Sequence, residues 1–259
     1  MRRRISLWDR ARSLRHAARL ALSERTGRFT GAAAEAAAGW LDLEPPAAAR
    51  VAALSQRHGV CFESQQEAAG ALHAYEYLDF LDQALDAWGQ RPPRVPVMHD
   101  VGCASFGYAA ALVALCRPGR LVGVELEGYR RLRGGVNRAG KAAANVARLS
   151  HASFVIADYT RFAERADLIT AFFPFVTPTP VLGWRLPLSV LRPRELFLAV
   201  RRNLNPGGRL WMVNQGETEE TLAREHAGAA GLEPARRHVC TSVIRPRAVS
   251  PILSEWQVP

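Results

Sequence analysis

Apolar and polar positions follow two rhythms along this chain. Near the N-terminus the period is helical. Leu7, Ala11, Leu14, Ala18 and Leu22 recur at spacings of three and four, the repeat of one helix face. Arg10, Arg12, Arg15 and Arg19 flank or oppose that stripe, and Thr26, Gly27, Thr30 and Gly31 end it. A basic amphipathic helix is expected within residues 1–30. Its face could dock on its own domain or a dimer partner, or rest on an anionic membrane surface or nucleic acid. Residues 32–90 read as helical throughout. Pro46 suits a first helical turn, Gly59 the left-handed position after a helix end, and Ser64 with Glu67 the capping-box spacing. Ala71, Tyr75, Leu78, Leu81, Leu85 and Trp88 form a second stripe, stopped by Gly89 and Pro92-Pro93.

From Val95 the rhythm changes to short apolar runs between helical stretches, the pattern of a parallel sheet. The runs are 95–101, 120–125, 153–157, 168–173, 209–214, 239–244 and 252–258. Helices are expected near 107–116, 128–149, 192–203 and 217–230. The last two runs have a short connection, which suits an antiparallel end hairpin. The expected fold class is α/β, with a Rossmann-like, mostly parallel sheet of seven strands and an N-terminal helical extension.

Composition narrows the class. With 48% hydrophobic and 22% charged residues in 259, the chain is globular rather than disordered. No apolar run approaches the roughly 18 residues of a membrane span. Asp9, Arg10 and Arg12 interrupt any apolar segment after Arg2-Arg3-Arg4, so no cleaved secretory signal is expected. Cys61, Cys103, Cys116 and Cys240 lack metal-ligand spacing. Reduced cysteines, a cytoplasmic location and no metal follow as expectations. The net charge of +10 invites a nucleic-acid partner, but it is uneven. Residues 1–28 carry a net +7, residues 29–235 a net 0, and residues 236–247 a net +4. The body is neutral, and the excess sits at two ends.

The first strand-to-helix turn reads Asp100-Val101-Gly102-Cys103-Ala104-Ser105-Phe106-Gly107. In open α/β sheets, ligands bind at the carboxyl ends of strands. Gly102 permits a tight turn and close approach of a ligand. Asp100, placed before it, would repel phosphate and favour a cationic or amine-bearing ligand. Glu125 ends the second strand, where a carboxylate can accept hydrogen bonds from a ribose diol of NAD or another nucleoside. Asp158, followed by Tyr159, ends the third and could accept from an exocyclic amine.

With Leu204-Asn205-Pro206-Gly207-Gly208-Arg209 before the fifth strand, these features over residues 94–259 resemble the class I S-adenosylmethionine-dependent methyltransferases. The resemblance implies strand order 3-2-1-4-5-7-6 and S-adenosyl-L-methionine as cofactor. It implies that Gly102, with Cys103 and Ala104, touches the methionine part, Glu125 the ribose, and Asp158 the adenine. The chain departs from the family's D-x-G-x-G-x-G at Ala104 and Phe106. The family's nucleic-acid amino-methylating members often carry Asn/Asp-Pro-Pro-aromatic after the fourth strand, where this chain has Phe173-Pro174-Phe175. Phe173 and Phe175 could wall a sulfonium or planar substrate. The proline-rich loop 174–193, with Pro174 and Trp184, and the strand-end residue Asn214 are candidate substrate contacts. No catalytic base is assigned. The expected organisation is a basic helix (1–30), a helical cap (31–93) and a methyltransferase-like core (94–259). Methyl transfer to a small molecule is expected. An RNA methyltransferase using the basic ends and a non-catalytic scaffold are the alternatives.

Overall fold

The structure, a computed structural model, describes residues 5–27, 42–132 and 135–259. The part of the expected helical stretch at 32–41 lies outside them.

Seven strands among the described residues form one sheet. They are β1 (Val97–Val101), β2 (Arg120–Glu125), β3 (Ala152–Ile156), β4 (Ala166–Phe172), β5 (Leu204–Gln215), β6 (Glu233–Val239) and β7 (Pro251–Gln257). Their order is β3-β2-β1-β4-β5-β7-β6. The first five run parallel, and β7 is antiparallel to both β5 and β6. The order expected from the resemblance is the order found.

Both faces of the sheet are covered, so central strands are apolar on both sides. Along β5, Leu210 and Met212 enter one core while Trp211 and Val213 enter the other, the two-residue alternation of a strand. On the Trp211 side lie α2 (Pro45–His58), α3 (Ala68–Ala87) and α4 (Ala109–Cys116). On the Leu210 side lie α7 (Pro193–Asn203) and α8 (Gly216–Ala229). The remaining helices are α1 (Leu7–Thr26), α5 (Arg138–Val146) and α6 (Pro178–Gly183).

Several local expectations change. The sixth strand lies at 233–239 rather than 239–244. It is an edge strand, exposed for most of its length and carrying Glu233, Arg236 and Arg237. Charged edge strands resist pairing with other chains and therefore leave no apolar run to find. The segment after it returns to α3, where Cys240 and Ile244 are buried and Gln83 bonds the backbone of Thr241. Gly59 does cap α2 in the left-handed region, at φ 65°. The Ser64–Glu67 capping box does not form. Glu67 is itself the N-cap of α3, and Ser64 donates to the Cys61 carbonyl.

The N-terminal helix forms, and the body does not cover its Leu/Ala stripe. A capping box of Ser6 and Asp9 starts it. It packs on α6 and the turn at Leu188–Val190 through its polar side. Ser13 accepts from the Leu188 N–H at 2.9 Å, and Arg19 reaches Glu127 at 2.6 Å. The Leu/Ala stripe faces water, with Leu7 82% and Leu14 74% exposed. Specific hydrogen bonds, rather than the apolar stripe, hold this helix to the body. No helix among the described residues is long and apolar enough to cross a membrane.

Leu14→Ser should therefore change the urea unfolding free energy by no more than about 0.5 kcal/mol. Leu81→Ala, in the α3 core, should cost about 2–5 kcal/mol. A large loss from Leu14→Ser would show that the stripe is covered after all.

Candidate functional site

A cavity of about 460 Å³ opens at the carboxyl ends of the parallel strands. Gly102 and Ala104 follow β1, Glu125 ends β2, and Asp158 and Tyr159 follow β3. Phe173, Pro174, Phe175 and Trp184 line it from the loop after β4. The structure thus brings nine of the sequence-derived candidates to one cavity. Asp100, Cys103 and Asn214 are fully buried and do not line it. Strand alternation turns Asn214 inward, and its neighbour Gln215 takes the cavity position.

Asp100 does not face a ligand as its position suggested. Its carboxylate accepts from the Tyr108 hydroxyl at 2.6 Å and the Thr170 hydroxyl at 2.5 Å. Complete burial pushes its pKa up to about 7, against the two hydrogen bonds that favour the charged form. It fastens β1 to β4 and to the start of α4, beneath the cavity. His99 beside it is a core histidine, in contact with Tyr159, and burial lowers its pKa to about 4.

The loop 102–106 holds the most informative geometry. Gly102 has φ 73°, and nothing lies within 4 Å of where a side chain would project. Ala104 and Phe106 also adopt left-handed φ, at 52° and 51°. The chain follows a glycine-type path without glycine, at a cost of about 1–2 kcal/mol per residue. Two contacts offset it. The Ala104 N–H donates to Glu125 at 2.8 Å. The Phe106 ring is fully buried against β2, at the one place where that strand has Gly123. A Cβ on Gly123 would lie 2.5 Å from that ring.

Glu125 also accepts from the Glu127 N–H at 2.8 Å and faces Arg138 at 3.4 Å. Burial raises its pKa, opposed by the Arg138 charge and the two backbone donors. Glu127 gathers Arg19, Arg130 and Arg138 at 2.6–3.3 Å. Arg138 lies under the Trp184 ring, 5.1 Å from its centroid. Asp158 accepts from the Thr160 N–H and hydroxyl and from Arg192. Burial alone would raise its pKa, but those bonds hold it below the usual carboxylate value.

The second group of cavity residues was not found from sequence. His73 and Tyr77, one turn apart on α3, meet Tyr108 and Phe172, with Tyr77 stacked on Phe172 at 4.2 Å. Phe173 adopts φ 55°, and Arg247 lies 4.5 Å over its ring. Arg245 joins Arg247 at the cavity. The available signal was the pair Arg245-Pro246-Arg247, since alternate residues of an extended chain share a side. Arg138 left no signal beyond its place in the first turn after Asn137, the N-cap of α5.

Comparison with solved structures gives the same architecture. The chain superposes on an S-adenosylmethionine-dependent methyltransferase from Aquifex aeolicus with TM-score 0.52 at 12% identity, covering 70% of this chain and 91% of that one. It superposes on the [4+2]-cyclase SpnF with TM-score 0.52 at 13% identity, covering 72% and 82%. A putative RNA methyltransferase from Pyrococcus horikoshii gives TM-score 0.50 at 13% identity, covering 74% and 84%. No family model and no curated protein matches the sequence. The chain has the Rossmann-like fold of the class I S-adenosylmethionine-dependent methyltransferases. On fold, the resemblance in the sequence is borne out.

Gly123→Ala should cost about 1–3 kcal/mol through its clash with Phe106. Phe106→Leu in the same chain should recover part of that loss in a double-mutant cycle. Additive losses would show that the two sites are not coupled.

Asp100 sets a second test. Its folded pKa of about 7 lies above the unfolded value near 4. Between these the native state holds a proton that the unfolded chain has released, so this group's contribution to stability falls as pH rises. The difference in unfolding free energy between wild type and Asp100→Asn should therefore shrink from pH 5 to pH 8. A pH-independent difference would contradict the assignment.

Proposed function

We propose that the chain is an S-adenosylmethionine-dependent methyltransferase acting on a small molecule. The observation that carries this is the 102–106 loop. It keeps left-handed backbone at the positions where the family has glycine, and it is tied by its Ala104 N–H to the strand-end acid Glu125. The open space beside Gly102 leaves room for a ligand at the loop. In this reading Gly102 and Ala104 meet the methionine part of the cofactor. Glu125 accepts from Glu127 and Arg138 on one oxygen and from Ala104 on the other, which keeps one lone pair for a ribose hydroxyl, since each carboxylate oxygen can accept two hydrogen bonds. Tyr159 and Asp158 flank the adenine.

The bound cofactor would supply an electrophilic methyl group on a sulfonium. The chain's task is then to place an acceptor atom in line with it and to exclude water. The aromatic wall of Tyr77, Tyr108, Phe172 and Phe173 suits that task. Tyr108 is committed to Asp100, and His73, with its pKa lowered to about 4 by burial and by Arg245 and Arg247, is neutral near pH 7. We assign neither as a base.

Two observations favour a small acceptor over RNA and over a scaffold role. Of the four arginines of 236–247, Arg236 and Arg237 pair with Glu255 and Glu217, and Arg245 and Arg247 share the single Glu76 at the cavity. Phe106, the bulkier of the two departures from the family's glycine pattern, is buried, and the space beside Gly102 stays open.

Calorimetric titration tests this reading. S-adenosylmethionine and S-adenosylhomocysteine should bind and NAD should not. Glu125→Gln should weaken both by about tenfold, the equivalent of one hydrogen-bonded contact. Absence of binding by wild type, or unchanged binding by the variant, would overturn the cofactor assignment.

A further inference from the structure

The cavity contains more positive charge than its walls require. Glu76 on α3 is 1% exposed and accepts from Arg247 Nε at 2.7 Å and from Arg245 Nη1 at 3.1 Å. One carboxylate is balanced by one guanidinium. The second leaves a guanidinium that no further carboxylate of the described residues balances, and both side chains stay open at the cavity, Arg245 46% and Arg247 26% exposed. The other ionisable groups of that wall do not offset it. His73 is neutral, and burial raises the Tyr77 pKa, which keeps its hydroxyl protonated.

The guanidinium groups also have donors to spare. Each carries five N–H groups. Arg245 spends one group on Glu76 and Arg247 another, and neither has a further hydrogen bond to a described residue. The Arg247 guanidinium carbon lies 4.5 Å from the centroid of the Phe173 ring, and Phe173 adopts a left-handed φ. The buried Glu76 anchors both arginines from behind. Fixed guanidinium forks of this kind match the two oxygens of a carboxylate or phosphate.

We propose that the methyl acceptor is a planar molecule bearing an anionic group, with its ring against the aromatic wall of Tyr77, Phe172 and Phe173 and its anion on Arg245 and Arg247. The word acceptor rests on the methyltransferase reading above. The anion site does not, because the chain builds it from its own residues. The proposal also gives the basic C-terminal segment a use, since its last two arginines are the ones that reach the cavity.

The test is calorimetric titration of benzoate, phenyl phosphate and benzamide into the chain saturated with S-adenosylhomocysteine. At least one anion should bind about tenfold more tightly than benzamide, and the preferred one distinguishes carboxylate from phosphate. Arg245→Gln and Arg247→Gln should each abolish that preference, while Arg247→Lys should keep part of it. Affinity for S-adenosylhomocysteine should stay within about twofold in the Arg245 variant, which also shows that it has folded. Equal binding of benzamide and both anions would overturn the proposal. So would a loss of S-adenosylhomocysteine affinity on Arg245→Gln with 5′-methylthioadenosine unaffected, since the arginines would then hold the cofactor's own carboxylate. If wild type binds no S-adenosylhomocysteine, the methyltransferase reading fails. The same anion titration on the chain alone then still decides the arginine site.

Discussion

The cleft hangs on a buried ion cluster at the end of β2. Glu125 fixes the first loop through the Ala104 N–H. Glu127, two residues on, collects three guanidinium groups. Arg19 and Arg130 each bridge Glu127 to a carbonyl of the far wall, at Arg185 and Trp184. One pair of carboxylates therefore links the loop after β1, the proline-rich wall and the N-terminal helix. Buried ion pairs seldom add net stability over apolar packing, but removing one partner costs about 3–5 kcal/mol. Such a cluster makes sense as a positioning device, holding walls that no continuous core connects.

The same account resolves the charge distribution. In the neutral body, buried acids pair with arginines that stay partly exposed: Glu127 with Arg19 and Arg130, Asp79 and Asp82 with Arg50, and Glu220 with Arg224. Of the C-terminal arginines, Arg236 pairs with the buried Glu255, Arg245 and Arg247 with the buried Glu76, and Arg237 with Glu217 at the surface. At the N-terminal end Arg19 turns inward to Glu127, while the Leu/Ala stripe of its helix faces water. The two basic ends thus differ: the C-terminal one contacts carboxylates of this chain, and the N-terminal one is a helix with its apolar stripe outward.

Much of the fold was legible in the sequence because central strands are covered on both faces and read as apolar runs. The runs at 120–125, 168–173 and 252–258 differ from the observed strands by two residues or fewer. The edge strand at 233–239 was not legible, since an exposed edge is selected for charge. In the site, Gly102, Glu125 and Asp158 could be placed because strand ends face the cleft in this architecture. Asp100 stands at the same kind of position yet turns to Tyr108 and Thr170. Strand position gives an address, but partners from other elements decide where a carboxylate points. Arg138, Glu76 and the Arg245-Pro246-Arg247 segment belong to three separate parts of the chain, and no local pattern links the three. The outward turn of the N-terminal stripe was also hidden, because periodicity identifies an apolar face without saying what covers it.

The central claim is that the loop after β1 and the acid ending β2 together hold the nucleoside cofactor. Hydrogen exchange with and without S-adenosylhomocysteine tests it most directly, since each amide reports separately. The account predicts slowed exchange confined to residues 102–106, 125–127 and 157–160. Unchanged exchange in those three segments, with protection appearing elsewhere, would contradict it.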